Sequence, residues 1–187
     1  MHLRNKPGLE TAAGICGGYQ MLCEQLIDEA GTDTGEINKK VHGLGLIPAV
    51  TRFQLNKRTI RSTGAVHPKT GLPAVPIEGY EVHLGRTDPL DANMTGTPFV
   101  LLEAGKTDGV CIDQGRIIGT YFHHLFHNDE WRTVWLNKLR KKNGLPERPY
   151  HQSRRSGENS FDQLARHAEA HLDIDYLIDL AVKRENI

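Results

Sequence analysis

The sequence has few cysteines, few aromatic residues, no net charge and no long apolar run. Its three cysteines are an odd number without paired spacing, so we expect no disulfide framework and a reducing compartment. Lys+Arg and Asp+Glu both total 23, which gives no electrostatic reason to expect a nucleic acid or an anionic membrane as partner. No stretch approaches the roughly 20 apolar residues that cross a bilayer, and no secretory signal opens the chain. We therefore expect a cytoplasmic protein that binds neither membranes nor nucleic acids.

The remaining composition is that of an ordinary globular domain. Charged residues make up 25% of the chain, hydrophobic residues 38% and aromatic residues 6%, which allows a core of moderate size. A length of 187 residues fits one domain. We expect a single domain over 1–187, with an atypical polar start over 1–12, a connector over 143–160 and closing helices over 161–185.

Strand and helix signals alternate along the chain, which predicts an α/β protein. The predicted elements are a helix from Cys16 to about residue 30, extended segments over 41–64, 77–84 and 98–102, a hairpin over 109–121 with its turn at 113–115, and a helix from Asn128 to Asn143.

Cys16 is the strongest candidate for a catalytic residue. It stands between Ile15 and two glycines, directly before the first predicted helix. Backbone N–H groups at a helix start favour a thiolate, and the glycines leave the Gly17 N–H free to bind an oxyanion. This pattern is typical of a nucleophile elbow. The alternative is a buried structural cysteine beside a tight turn, because free cysteine is often buried.

A cysteine nucleophile needs a base, and three histidines lie at the end of a predicted strand. They are His123, His124 and His127. Neighbouring residues of a strand point to opposite faces, so only one of His123 and His124 can face Cys16. Zinc would need further acidic or cysteine ligands at suitable spacing, which are lacking, so we expect no metal. His127 is interpreted as a surface residue before the helix cap.

Glu81 and His83 share one face of a predicted strand. Such a pair could orient a base or bind a polar substrate. It could equally form a half-buried ion pair at a sheet edge, and the spacing does not decide between these interpretations.

Together these motifs resemble the class I glutamine amidotransferase domain found at the C-terminus of cobyric acid synthases. The segments that carry the resemblance are residues 14–22, 79–87, 108–109 with 119–126, and 161–165 with 171–173. The elbow alone indicates the superfamily. The segment 79–87, Gly-Tyr-Glu-Val-His-Leu-Gly-Arg-Thr, is more specific, because cobyrinic acid a,c-diamide synthases are expected to end it differently.

The resemblance implies a fold and residue roles. The fold is a class I amidotransferase sheet of flavodoxin-like or Rossmann-like type with flanking helices. Cys16 would attack glutamine, Gly17 would hold the oxyanion, His123 would transfer protons and Gln20 would contact the substrate. A Cys-His dyad is implied, because the position two residues after His123 is Leu125 and not the Glu of a triad.

Glu81 and His83 match positions of the same family, which gives them a supporting place without a defined chemical role. The family usually has Gly where this chain has His124, so the choice of His123 over His124 rests on the alignment of the motif.

The resemblance also implies a longer partner. In cobyric acid synthases an ATP-binding synthetase domain and the opening strands of the amidotransferase sheet come first. We therefore expect a partial domain whose first strands and synthetase portion are supplied in cis or in trans. No P-loop motif occurs in this sequence, so no cofactor is expected here, and ATP and Mg²⁺ are expected in the synthetase domain.

The implied reaction uses L-glutamine to amidate corrinoid carboxylates, converting adenosylcobyrinic acid a,c-diamide to cobyric acid in cobalamin biosynthesis. The isolated chain is expected to have negligible glutaminase activity, to be marginally stable or to associate, and to regain activity with the N-terminal segment. Two alternatives stay open: a non-catalytic remnant or interaction module, and a cobyrinic acid a,c-diamide synthase or other amidotransferase-like cysteine hydrolase.

Overall fold

Two β-sheets and four α-helices make up the part of the chain that the computed structural model describes, residues 11–91, 96–150 and 160–184. The strands are β1 (Ala12–Ile15), β2 (Cys23–Ala30), β3 (Ile37–His42), β4 (Ile47–Val66), β5 (Pro76–Pro89), β6 (Val100–Leu102), β7 (Thr107–Asp108), β8 (Val110–Ile112), β9 (Ile117–Thr120) and β10 (Phe122–His123). The helices are α1 (Gly17–Leu22), α2 (Asp129–Lys142), α3 (Ser160–His171) and α4 (Ile174–Arg184).

The sheets combine parallel and antiparallel pairs. The smaller sheet has the order β1-β9-β8, and the larger has the order β10-β5-β4-β2-β3, with β6 paired to β4 and β7 paired to β6. Among the described strands, β1–β9 and β2–β4 are the parallel pairs. Helices flank these sheets, so the α/β class expected from the sequence is confirmed, with more antiparallel pairing than a doubly wound sheet has.

Two hydrophobic cores lie on the two faces of the strand that leads to the histidine cluster. Ile117 and Tyr121 pack into one core with α1, whereas Ile118 and Phe122 pack into the other with α2. This is the period of two that a strand imposes on its side chains.

The helix predicted after Cys16 is shorter than the sequence indicates. It ends at Leu22, and residues Cys23–Ala30 form strand β2. This strand pairs antiparallel with β3 and parallel with β4, so its backbone completes hydrogen bonds on both sides. Tertiary pairing therefore overrides the apolar spacing that favours a helix, and the prediction of a helix to about residue 30 is wrong.

The other predicted elements of residues 11–150 are confirmed. The strand over 77–84 lies inside the longer β5, and β8 and β9 form the hairpin around 113–115. Helix α2 begins directly after Asn128 and ends before Asn143.

Residues 1–150 and 151–187 form two compact units. The described part of the second unit consists of α3 and α4, which lie in the segment 161–185 for which closing helices are predicted. Most of the predicted start over 1–12 and residues 151–159 of the predicted connector lie outside the described residues. None of the helices in the described ranges has the length and apolar character that a bilayer crossing requires.

Candidate active site

Cys16 occupies a sharp turn between β1 and α1. Its backbone angles are φ 53° and ψ −114°, a conformation that residues other than glycine rarely adopt. Such a residue typically costs about 1–3 kcal/mol and persists where the surrounding structure holds it. The helix also packs closely on the strand, because a Cβ at Gly14 would lie 2.7 Å from the carbonyl carbon and oxygen of Gly18. The local geometry is therefore the strained strand-to-helix turn of a nucleophile elbow.

The structure brings Cys16 and His123 together at one backbone carbonyl. Cys16 Sγ donates a hydrogen bond to the Val82 carbonyl at 3.4 Å, and His123 Nε2 lies 3.3 Å from the same oxygen. The tautomer of His123 sets the role of Nε2, which donates to this oxygen in one tautomer and can accept a proton in the other. Both side chains are half-buried, which leaves the pair accessible to a small molecule.

The other two histidines of the cluster point elsewhere. His124 has φ 67°, in the left-handed region, and its ring stacks on His127 with centroids 4.5 Å apart. The same ring meets Tyr80 edge-on at 5.4 Å. Of the adjacent pair, His123 is the residue that shares an acceptor with Cys16.

Gly17 and Gln20 both belong to α1. Gly17 is its first residue, so its N–H lacks an acceptor within the helix and is directed away from the helix body. Gln20 is buried, and its side chain hydrogen-bonds the Tyr121 hydroxyl. A Cβ at Gly85 would lie 2.4 Å from Gln20 Nε2, so the amide group fills the space above that glycine.

The buried carboxylate of Glu81 forms an ion pair with the half-exposed Arg58 and not with His83. Its carboxylate lies 3.0 Å from Arg58 Nε and accepts a hydrogen bond from Ser62 Oγ at 2.6 Å. Strand β5 lies between β4 and β10, so this is an interior position of the sheet. The interpretation of an ion pair between Glu81 and His83 at a sheet edge is therefore wrong in both its partner and its location.

The surroundings of His83 favour its neutral ring, because burial lowers the pKa of this histidine. Its Nδ1 donates to the Gly85 carbonyl at 2.6 Å, and the ring stacks on Tyr121 with centroids 3.8 Å apart. Burial lowers the pKa of His83, while the Gly85 hydrogen bond and the charge of Glu81 oppose this effect. With Nδ1 protonated, Nε2 of the neutral ring is a hydrogen-bond acceptor.

Asp108 is a buried carboxylate next to the residues that lead to His123. It accepts hydrogen bonds from the Thr120 hydroxyl and from the Tyr121 N–H, the latter at 3.3 Å and 3.2 Å to its two oxygens. Burial raises the pKa of Asp108 to about 6; the Thr120 hydrogen bond opposes this shift and the charge of Glu81 adds to it.

A pocket of about 550 Å³ lies beside this polar network. Its lining includes Arg58, Glu81, His83, Lys106, Asp108 and Tyr121. Cys16 and His123 are not among the residues that line this pocket. In the described ranges, no group of three or more His, Cys, Asp or Glu residues is placed to hold a metal ion.

Sequence reasoning missed three parts of this site. The Val82 contribution is a backbone carbonyl, which no side-chain pattern reveals. Arg58 lies on β4, beyond a register shift between Phe53 and Arg58, so its pairing with Glu81 is not evident from spacing. Asp108 and Gly109 are part of the family motif, and this membership is the sequence signal that points to a role for Asp108.

Comparison with known proteins agrees with these observations. Residues 8–131 match the family model described as a CobB/CobQ-like glutamine amidotransferase domain. A cobyric acid synthase of Geobacillus sp. (strain WCH70) is 41% identical over 172 residues, which cover 91% of this chain and 33% of that protein. A cobyric acid synthase of Bradyrhizobium diazoefficiens is 39% identical over 170 residues, covering 90% of this chain and 32% of that protein.

The chain thus spans about a third of the length of the curated relatives it matches. Among solved structures, a glutamine amidotransferase from Thermotoga maritima aligns with a TM-score of 0.35 and 15% identity, over 72% of this chain and 50% of that one.

Proposed function

Because the chain belongs to the CobB/CobQ-like glutamine amidotransferase domain family, we propose that it hydrolyses glutamine to glutamate and ammonia at Cys16. The observation that carries this proposal is the strained elbow that places the Cys16 thiol at the same carbonyl as His123. A nucleophile beside a base is the minimum that a covalent hydrolysis requires.

The first half-reaction forms a thioester. The Sγ proton passes to His123, and the sulfur attacks the carboxamide carbon of glutamine. The carbonyl oxygen becomes an oxyanion, for which the Gly17 N–H is the donor in the elbow. The C–N bond then breaks, the nitrogen takes a proton from His123, and ammonia leaves.

The second half-reaction restores the enzyme. Water gives a proton to His123 and attacks the thioester, and the C–S bond breaks as the proton returns to sulfur. The balance is glutamine plus water to glutamate plus ammonia. Gln20 is proposed to help place the substrate, and Glu81 with Arg58 to hold the strand that supplies the Val82 carbonyl.

We propose that the ammonia serves a longer protein. The relatives are named cobyric acid synthases and are about three times as long as the matched segment. The ammonia would amidate corrinoid carboxylates, converting adenosylcobyrinic acid a,c-diamide to cobyric acid in an ATP- and Mg²⁺-dependent step outside this chain. The three free thiols support a reducing, cytoplasmic setting.

The test is a chimaera in which this chain replaces the matching third of the Geobacillus synthase. We expect glutamate release that Cys16→Ser abolishes and Cys111→Ala preserves, while amidation with added ammonium survives both changes. Glutamate release that is unaffected by Cys16→Ser contradicts the proposal. A folded chimaera without any glutaminase activity would favour the non-catalytic remnant, and glutaminase activity without corrinoid amidation would favour another cysteine hydrolase.

A further inference from the structure

Thr120 connects the backbone of the nucleophile to the backbone that leads to His123. Its carbonyl accepts the N–H of Cys16 at 2.9 Å, and its hydroxyl oxygen accepts the N–H of Phe122 at 3.0 Å. The residue is fully buried, so water does not compete for either hydrogen bond. One side chain and one carbonyl thus fix the strand end on which the Cys-His pair depends.

Asp108 holds Thr120 in this position. Its carboxylate accepts a hydrogen bond from the Thr120 hydroxyl. The lone pairs of that hydroxyl are then directed at the Phe122 N–H. The same carboxylate accepts the Tyr121 N–H. Asp108 therefore orients two consecutive peptide groups immediately before His123, and a hydrogen bond to a charged acceptor is roughly twice as strong as a neutral one.

The glycine after Asp108 permits this close approach. Gly109 has φ +69°, and a Cβ there would lie 2.2 Å from the Gly119 carbonyl oxygen and 3.0 Å from Thr120 Cα. No other residue fits without moving the strand. The Asp-Gly pair thus has a geometric reason: the glycine brings the backbone against β9, and the aspartate reaches Thr120.

We propose that Asp108 is a positioning residue, whose buried carboxylate acts through Thr120 to hold Cys16 and His123 in the geometry needed for proton transfer. The proposal rests on the proposed function. Asp108 contacts neither Cys16 nor His123 directly, so it changes their mutual placement and not their chemical identity. Small misplacements of reacting groups reduce rates by factors of up to about 10².

A positioning role affects the rate of the covalent step and the affinity for substrate differently. Loss of positioning lowers the rate of the covalent step and leaves substrate affinity nearly unchanged, because it removes an interaction that matters in the transition state. A purely structural role would instead lower the melting temperature without a selective change in the rate of the covalent step.

The probe is a diazoketone analogue of glutamine, which reports on both members of the pair. In this reaction the thiol proton passes through His123 to the diazo carbon, N₂ leaves, and an S–C bond forms at Cys16. The maximal alkylation rate and the half-saturating concentration are measured at Cys16 of the chimaera by mass spectrometry, together with its melting temperature.

Four variants test the proposal. We expect Asp108→Asn and Thr120→Val to lower the maximal alkylation rate of Cys16 by about tenfold or more, with the half-saturating concentration within about twofold. Thr120→Ser keeps the hydroxyl and should retain the rate within about threefold. Asp113→Asn is the matched control, because Asp113 lies in the turn of the same hairpin and pairs with Arg116.

The outcomes separate this proposal from the proposed function. Wild-type Cys16 that is labelled no faster than Cys23 contradicts the glutaminase function and the positioning role with it. Selective labelling of Cys16 that Asp108→Asn and Thr120→Val leave unchanged overturns the positioning role alone. If Asp108→Asn does not fold, Thr120→Val against Thr120→Ser decides, and equal rates in that pair overturn the proposal.

Discussion

The Cys16 thiol and Nε2 of His123 share one acceptor, the backbone carbonyl of Val82. The distances to that oxygen are 3.4 Å from Sγ and 3.3 Å from Nε2. Sγ donates to this oxygen, whereas Nε2 donates to it in one tautomer of His123 and can accept a proton in the other. The main chain of β5 therefore supplies the oxygen at which the side chains of Cys16 and His123 meet.

The first prediction concerns selective alkylation. Cys23 and Cys111 are buried, and burial raises the pKa of the Cys23 thiol to about 11 and that of Cys111 above its usual value. Cys16 is half-buried and lies at the elbow. We expect a glutamine-analogue alkylator to label Cys16 first, because the other thiols are covered and protonated. Peptide mass spectrometry after limited labelling measures this, and equal labelling of all three in folded protein would refute the elbow.

The second prediction separates the three histidines. In the chimaera, His123→Ala should lower glutaminase activity by about 10²–10⁴-fold, the usual effect of removing a positioned acid–base group. His127→Ala should be nearly silent. His124→Gly should keep activity, because φ 67° at this position suits glycine and the ring of His124 points towards Tyr80. If His124→Gly abolishes activity and His123→Ala does not, then His124 and not His123 is the base.

The third prediction concerns strain at the nucleophile. In regular elements glycine is less stable than alanine by about 0.5–1 kcal/mol. At φ 53° and ψ −114° we expect the order to reverse, with Cys16→Gly more stable than Cys16→Ala by about 1 kcal/mol. Urea unfolding measures the difference. The same pair of substitutions at Leu136, an exposed position of α2, is the control and should favour alanine.

The fourth prediction compares two ion pairs that Glu81 and Glu78 of β5 form with arginines of β4. The Glu81 side chain is 6% exposed against Arg58 at 45%, whereas Glu78 and Arg61 are 65% and 67% exposed. Glu81→Ala removes the partner of a partly buried cation and of the Ser62 hydroxyl, which should cost about 1–3 kcal/mol. Glu78→Ala should cost below about 1 kcal/mol. Equal free energies of unfolding for the two variants would contradict this assignment.

The fifth prediction concerns the pH dependence of stability. The folded pKa of Asp108 is raised from 3.8 to about 6, so folding favours the protonated form. The stabilisation from this group is complete below about pH 4 and is lost as the pH rises through about 6. As the pH is raised through this range, the free energy of unfolding of Asp108→Asn should therefore increase relative to that of the wild type by roughly 2–3 kcal/mol.

Urea unfolding of both proteins from pH 4 to pH 8 measures this difference, since the titration of all other groups cancels. A difference that does not change with pH would show that the Asp108 carboxyl titrates alike in the folded and unfolded chain. The expected result has a further meaning, because a carboxylate that lowers stability at neutral pH is retained for another reason. Positioning of the Cys-His pair supplies that reason.

The sequence by itself determined the elements whose signals are local. The small residues around Cys16 predict a tight turn before a helix, the segment 109–121 predicts a hairpin, and the residues after Asn128 predict a helix. All three occur in the structure. Such signals are readable because turns, caps and hairpins are stabilised mainly by residues close in the chain.

Only the tertiary structure decided the features that depend on distant partners. Residues Cys23–Ala30 form a strand because β3 and β4 pair with them on both sides, although their spacing favours a helix. Val82 enters the site through its carbonyl, which every residue carries and no pattern can single out. Asp108 gains its place through a contact with Thr120 across two sheets. Side-chain chemistry therefore singled out Cys16 and His123 as candidates, whereas backbone pairing determined what holds them together.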